Sequence, residues 1–255
     1  MRKRWIFLVG ILGLGIVLWA TPAHAMHISE GILPIDWAGA WFFVAALFVY
    51  WGLRTIKQKR AADPRVLTMV AMVGAAVFVI SCMPVPIPWI GTCSHPCGTG
   101  LGALLIGPGP TVVVASVALL LQALLLAHGG LTTLGANIVA MGVAGAFCAF
   151  GVFRCLRVVK VPVFVAAIAA GTISDWATYA MTSLELSAAL HGDGSLWAMF
   201  AAVMVAFMPT QLPLGIAEGL LTAVAYRFVW DRRPELVSTC PGLRMRMSMS
   251  RGADA

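Results

Sequence analysis

Residues 111–127 read TVVVASVALLLQALLLA, a run without a single charged side chain. An α-helix rises about 1.5 Å per residue, so this run approaches the roughly 20 residues that cross a hydrocarbon core of about 30 Å. Glycine and proline alternate before it at 107–110, and a His-Gly-Gly turn follows it at 128–130. The stretch therefore predicts a transmembrane helix that ends in a tight turn on each side.

The rest of the chain has the same apolar character. Of its 255 residues, 60% are hydrophobic and only 11% are charged, and the mean hydropathy is +0.93. These values exclude a soluble domain and predict an all-α integral membrane protein with about seven transmembrane helices. The third segment is short and glycine-rich, and the last is expected to be broken by Pro209 and Pro213. The predicted segments are 37–53, 66–82, 99–109, 111–127, 133–153, 161–185 and 195–229.

The first 25 residues are typical of a cleavable signal peptide. A basic start, Met1–Arg4, precedes the apolar stretch Trp5–Trp19, and Ala23-His24-Ala25 forms the small-residue site that signal peptidase cleaves. Cleavage there makes Met26 the N-terminus of the mature protein. An uncleaved signal anchor is the alternative, because an apolar stretch of this length is borderline for a membrane span.

The basic residues predict the orientation of the chain. With the mature N-terminus outside, all 17 Lys and Arg lie in the signal peptide or in cytoplasmic segments, namely 54–65, 154–160 and the region from Arg227 onward. Because Lys and Arg are enriched on the cytoplasmic side, the net charge of +7 marks topology and indicates no nucleic-acid partner. We therefore divide the chain into a signal peptide (1–25), a membrane domain (26–230) and a polar cytoplasmic tail (231–255).

The histidines of the mature chain, by contrast, fall on the outer side or at the outer membrane edge. This asymmetry indicates an external metal or proton site. His191, in the polar turn HGDG, is better explained as solvated. His128 is interpreted as a structural turn residue or as a group that orients a ligating imidazole, a role also open to Thr132 and Asn137. The four residues are His27, His95, His128 and His191.

Met26 and His27 together offer a chelate once the signal peptide is removed. The nitrogens are the α-amine of Met26, the His27 amide if it deprotonates, and an imidazole nitrogen of His27. Fused five- and six-membered rings of this kind suit Ni(II), Cu(II) or Co(II), which favour square-planar or tetragonal sites. His95 is the candidate for a fourth nitrogen, because prolines stiffen its loop. The alternative is a loop histidine bonded to backbone.

Cysteines and acids surround this predicted site. Cys93 and Cys97 lie on either side of His95. They could form a disulfide, contact the metal or pack beside the site. We favour packing, because their spacing matches no standard zinc pattern. Asp175 and Glu218 lie within predicted spans, where charge is costly. They either line a cation path or are neutral acids bonded across a helix interface.

Three sequence blocks occur in an order that is specific to one family: MHISEGILP at 26–34, IGTCSHPCGTGLGALLIGPGPT at 90–111 and LLLQALLLAHGGLTTLGAN at 119–137. They resemble the substrate-capture membrane proteins of cobalt and nickel energy-coupling factor (ECF) transporters, the CbiM and NikM group. The resemblance implies a six-helix capture fold with one extra N-terminal helix, and metal ligation by Met26, His27 and His95. Cys97 departs from the family, which usually has Thr there.

The resemblance also implies partners. They are a transmembrane coupling subunit, ATP-binding subunits and a small accessory membrane subunit, in the inner membrane of a bacterial cell, with the mature N-terminus outside and the C-terminus cytoplasmic. The chain has no G-x-x-x-x-G-K-[ST] phosphate-binding loop, so the ATPase must be another subunit. The small residues Ala71 and Gly74–Ala76 offer a smooth face for a membrane partner.

The implied activity is metal uptake without chemistry on the substrate. The TCSHP form of the loop favours Co2+, taken up for cobalamin biosynthesis, as the cargo, and Ni2+ is the alternative. We expect no cofactor and no enzymatic activity. A second alternative is an intramembrane zinc metalloenzyme, against which the H-E-x-x-H motif is absent. A channel or ion-coupled transporter is the third.

Overall fold

A computed structural model describes residues 27–83, 85–87 and 92–232, and the predicted signal peptide, Met26 and the tail beyond 232 lie outside them. Within this part, seven helices and one two-stranded antiparallel ribbon are present. The elements are α1 (Ile35–Ala62), α2 (Val66–Ser81), β1 (Val85–Ile87), β2 (Thr92–Ser94), α3 (Thr99–Leu105), α4 (Pro108–Leu125), α5 (Leu134–Val158), α6 (Val163–Leu190) and α7 (Leu196–Arg232).

Five of the helices, α1 and α4 to α7, are long and apolar enough to cross a membrane, whereas α2 is shorter. The predicted class, a helical membrane protein, agrees with this architecture, and a helix lies in each of the seven predicted regions. Helix α1 begins with Asp36 in its first turn and ends with Lys59 and Arg60 in its last. Both ends complement the helix dipole, and the basic end is the predicted cytoplasmic one.

The third predicted segment, 99–109, is a shorter helix than predicted. Helix α3 ends at Leu105, Gly107 has a φ of 89°, and Pro108 begins α4. The helix itself is about 10 Å long, and the segment from His95 to Ile106 joins the histidine end of the bundle to the basic end of α1. All of α3 is buried, and the carbonyl oxygen of Ile106 accepts a hydrogen bond of 2.7 Å from Lys59 Nζ. The segment is apolar because protein surrounds it, and its last turn lies at the basic end of α1.

The last predicted segment was expected to break at Pro209 and Pro213, but α7 continues through both prolines. Helix α6 packs along it, and a Cβ atom on Gly219 would lie only 2.5 Å from the Ile168 carbonyl oxygen. Between the prolines, Trp176 Nε1 donates a hydrogen bond of 3.1 Å to the carbonyl oxygen of Gln211. Neighbouring helices commonly allow membrane helices to keep prolines in this way.

A π-helical segment, Ile138–Gly145, interrupts α5 immediately after Asn137. Such wide turns are rare and often lie at functional sites. Here the segment leaves Asn137 on the first turn of α5, buried and facing the N-terminal end of the described chain.

Candidate metal centre

Three histidines from three separate loops meet at the end of the bundle where α1 begins. His27 opens the described chain, His95 precedes α3 and His128 follows α4. The ring centroids are 4.8 Å apart for His27 and His95, 5.0 Å for His27 and His128, and 4.7 Å for His95 and His128. One donor nitrogen from each ring lies within 4.8 Å of the others. We call these residues the histidine cluster.

The cluster contains both predicted histidine ligands, His27 and His95, and both are buried. Met26 lies outside the described residues, next to His27 in sequence, so its amine stays a prediction, as does metal ligation by the histidines. His128, interpreted from sequence as a turn or orienting residue, joins the cluster. His191 does not, because its Nδ1 lies 2.9 Å from the carbonyl oxygen of Ser187 at the end of α6.

Two side chains of α5 and its N-terminal turn hold the backbone beside His27. Asn137 Oδ1 accepts a hydrogen bond of 2.9 Å from the Ile28 N–H, and Asn137 Nδ2 donates one of 3.1 Å to the Ile28 carbonyl oxygen. Thr133 Oγ1 donates a further bond of 2.6 Å to that oxygen. Asn137 thus bonds to the backbone next to His27, and its role in orienting an imidazole stays a prediction, while Thr133 was missed from sequence.

The glycine turn after His128 is required by close contact with the N-terminal segment. Gly129 has a φ of 81°, and a Cβ atom on Gly130 would lie 2.6 Å from the backbone of Glu30. The Glu30 carboxylate accepts hydrogen bonds from the Thr132 N–H at 3.1 and 3.3 Å. Larger residues at 129 and 130 would push His27 away from the other two imidazoles.

Glu218 of α7 holds the loop that carries His95. The two carboxylate oxygens of Glu218 accept hydrogen bonds from the N–H groups of Cys97 and Gly98, at 2.7 and 2.9 Å. Glu218 is buried, as is Asp175, whose Oδ1 lies 3.8 Å from Cys97 Sγ. Glu218 thus bonds to the backbone of the loop that follows His95, and its two sequence interpretations, a cation path and a neutral acid bonded across a helix interface, stay predictions.

Cys97 is a free thiol that faces these acids and lies apart from the histidine cluster. The thiol and the two carboxylates lie within 4.8 Å of one another, so packing beside the site, which the sequence favours, stays a prediction. The side chain of Cys93 lies outside the described residues.

The rings of His95 and His128 share a short contact. His95 Nδ1 lies 3.2 Å from the Pro96 carbonyl oxygen, which can only accept, so the ring proton belongs on Nδ1 and the lone pair on Nε2. His128 Nε2 is 2.7 Å from that Nε2 and donates to it. The lone pair of a predicted ligand therefore points into the cluster.

Burial keeps the three imidazoles neutral. Burial, assisted by the charge of His128, lowers the pKa of His95 to about 3. Burial is also the main reason that the pKa of His27 lies well below its usual value, with the charges of His95 and His128 adding to the effect. The partly buried His128 has its pKa lowered by burial. Metals bind neutral imidazole, so protons compete weakly for these rings at neutral pH.

The chain matches a known protein family over most of its length. Residues 27–236 match CbiM, described as "Cobalt uptake substrate-specific transmembrane region". The chain is 49% identical over 238 residues to a cobalt transport protein CbiM of Geobacter sulfurreducens, which covers 93% of this chain and 69% of that relative. It is 50% identical over 220 residues to a cobalt transport protein CbiM of Sorangium cellulosum, covering 86% of this chain and 98% of the relative.

Solved structures show the same architecture. The chain superposes with a TM-score of 0.69 on a crystal structure of a truncated transition metal transporter, with 25% sequence identity over 81% of this chain and 99% of that one. A second transition metal transporter structure gives the same TM-score over 80% of this chain and 92% of that one.

Proposed function

The chain belongs to the CbiM family of cobalt uptake membrane proteins, and from this premise we propose that it is the metal-capture subunit of an ATP-driven Co2+ importer of the ECF type. The observation that carries the proposal is that the ring centroids of His27 and His95 lie 4.8 Å apart. After cleavage at Ala25, His27 would be the second residue of the mature chain. Because its relatives are named as transport proteins, the chain is a transporter component, and the metalloenzyme alternative falls away.

The proposed ligands are the Met26 amine, the His27 amide and imidazole, and the imidazole of His95. The backbone clamp at Ile28 supports this set, because it fixes the peptide next to the chelate before an ion arrives. Preorganisation of this kind lowers the entropic cost of binding. Cleavage at Ala25 is an essential part of the proposal, since an amine and not a peptide nitrogen must bind the ion.

Transport is assigned to partners: a transmembrane coupling subunit, ATP-binding subunits and an accessory membrane subunit in the bacterial inner membrane. Support comes from a groove of about 430 Å³ between α2 and α4, lined by Ala71, Gly74 and Ala75 among other residues. Small residues let a partner helix approach closely. Reorientation driven by these partners would release Co2+ inward, in the service of cobalamin biosynthesis.

Ni2+ is the second candidate cargo. A planar set of four nitrogens suits Ni(II) at least as well as Co(II), and first-row affinities place nickel higher at a generic nitrogen site. The names of the relatives favour cobalt.

The test compares the mature protein with a variant that carries a short Gly-Ser extension between Ala25 and Met26. N-terminal sequencing establishes each terminus, and metal content is measured on the same sample. We expect about one Co2+ per chain for the mature protein and none at high affinity for the extended variant, because the amine is displaced. Equal Co2+ retention by a variant sequenced with its extension would contradict the amine chelate.

A further inference from the structure

Cys97, Asp175 and Glu218 form a second group of metal-ligating side chains inside the bundle. One donor atom of each, the thiol sulfur and a carboxylate oxygen of either acid, lies within 4.8 Å of the others. All three side chains are buried, and Sγ of Cys97 lies 3.8 Å from Oδ1 of Asp175. We call these residues the thiol-acid cluster.

Asp175 has a carboxylate oxygen that needs a partner. In the described part of the chain, its Oδ2 accepts no hydrogen bond, although Asp175 is fully buried near the middle of α6. A Cβ atom on Gly215, one turn before Glu218 on α7, would lie 3.0 Å from Oδ2. This oxygen therefore lies between α6 and α7, on the face of α7 that carries Glu218, where a glycine offers no side-chain donor. A buried carboxylate oxygen without a donor is costly, and a bound cation satisfies it.

The two acids also lack a balancing charge. Glu218 accepts hydrogen bonds from the N–H groups of Cys97 and Gly98, which are neutral. None of the Lys and Arg side chains that the structure describes forms an ion pair with either acid. Buried charges in proteins are usually paired with an opposite charge or bind a metal ion. One dication would balance both carboxylates.

The donor atoms of the cluster predict the kind of ion. Mg2+ and Ca2+ bind oxygen, whereas sulfur combined with carboxylate oxygen suits Co2+, Ni2+ or Zn2+. Donors around a four-coordinate ion of this class are about 3.5 Å apart, so the side chains need to move by only about 1 Å to close on it. Three protein ligands leave a fourth position open, through which an ion can enter and leave.

We propose that the thiol-acid cluster is a second binding site for a transition-metal dication, which receives the ion from the histidine cluster. The inference rests on the proposed function for the identity of the ion, which is the same Co2+ or Ni2+ cargo. Cys97 lies two residues after His95, so their Cα atoms are at most about 7 Å apart. The chain then continues through α3 to Ile106, whose carbonyl oxygen bonds to Lys59 at the basic end of α1. Transfer between the two sites thus moves the ion toward the predicted cytoplasmic side.

The experiment uses the full mature protein in which His27→Ala and His95→Ala together remove the proposed first site. We expect this double variant to retain about one Co2+ per chain, at lower affinity than the unmodified protein. X-ray absorption at the cobalt edge should show a sulfur scatterer at about 2.3 Å, the metal–sulfur distance typical of this class. Adding Cys97→Ser should remove the scatterer. Adding Asp175→Asn should lower the affinity by more than about 10-fold, because even a residue that only orients a ligand contributes that much.

Cys148→Ser is the matched control. Cys148 is an exposed cysteine on α5, whereas Cys97 is buried. In the double variant, this change should keep both the sulfur scatterer and the affinity. Thermal unfolding without added metal establishes that every variant is folded. Titration of the unmodified protein should show a second, weaker equivalent of Co2+, which tests the site with the histidines in place.

The second site is overturned if the folded double variant retains no Co2+, or if its sulfur scatterer persists after Cys97→Ser. Neutral acids that merely bond across the helix interface would give the first of these results. Failure of the proposed function looks different. In that case the extension between Ala25 and Met26 leaves the tighter Co2+ site of the unmodified protein unchanged, whatever the double variant binds.

Discussion

The proposed metal site depends on single imidazoles, and the residues around each ring determine its protonation state. His27, His95 and His128 are brought together as neutral rings because burial makes the charged form costly. Motif and spacing marked two of them as ligands. The third, His128, is joined to His95 by a contact of 2.7 Å between their Nε2 atoms. The two residues lie in different loops, so no local sequence signal predicts this contact. Its position at the predicted outer edge was the only available clue.

The histidines should differ in their contribution to metal binding. We expect His95→Ala to lower Co2+ affinity by more than about 100-fold, because it removes a proposed ligand, and His128→Ala to lower it by about 10-fold, because it removes a neighbour of that ligand. Competition titration against a chelator measures both. His191→Ala is the control and should bind normally, since that ring bonds to the Ser187 carbonyl oxygen at the end of α6. A larger loss in His128→Ala than in His95→Ala would reverse the assignment.

At the scale of the elements, the helices determine where the loops that carry the three histidines lie. Sequence predicted the helices well, because apolar runs of membrane length are a local property. It was wrong about the break in α7, which continues through Pro209 and Pro213, and α3 is shorter than predicted, since it ends at Leu105. Neighbouring helices can accommodate prolines in α7, and a short apolar segment such as α3 can be buried in protein instead of facing lipid.

Glu218 should show how strongly α7 supports the His95 loop. Gln at this position keeps only one acceptor oxygen, and its NH2 group faces a backbone N–H. We therefore expect Glu218→Gln to lower the free energy of unfolding by about 1–3 kcal/mol and to weaken Co2+ binding. Thermal unfolding in detergent and metal titration measure the two effects. Unchanged stability would mean that the bonds to Cys97 and Gly98 at 2.7 and 2.9 Å contribute little.

At the scale of the whole molecule, the proposed metal site and the proposed partner face lie on different surfaces. The histidine cluster lies at the end of the bundle where α1 begins, while the small residues of α2 line a groove on its side. A protein of this kind needs both surfaces, one to hold the ion and one to be moved by partners. Changes to either surface should therefore be separable by experiment.

Ala75 tests this separation. It is exposed on α2, and Ala75→Leu adds bulk to the face proposed for a partner helix. We expect normal Co2+ content in the purified protein but reduced Co2+ uptake by cells that contain the partner subunits. Ala46→Leu, also exposed but on α1, should leave uptake unchanged. Equal uptake by both variants would remove the α2 face from the proposed partner interface.

The sequence by itself determined the class of protein, the side on which its basic segments are expected, and the segments that bear His27 and His95. These follow from hydropathy, charge placement and motif, which are local or cumulative properties of the chain. Only the tertiary structure decided that Asn137 holds Ile28, that Glu218 holds the loop after His95, and that His128 adjoins the site. Such pairs are 109 positions apart for Asn137 and Ile28 and 121 for Glu218 and Cys97. Their contacts depend on how helices pack, which no local pattern specifies.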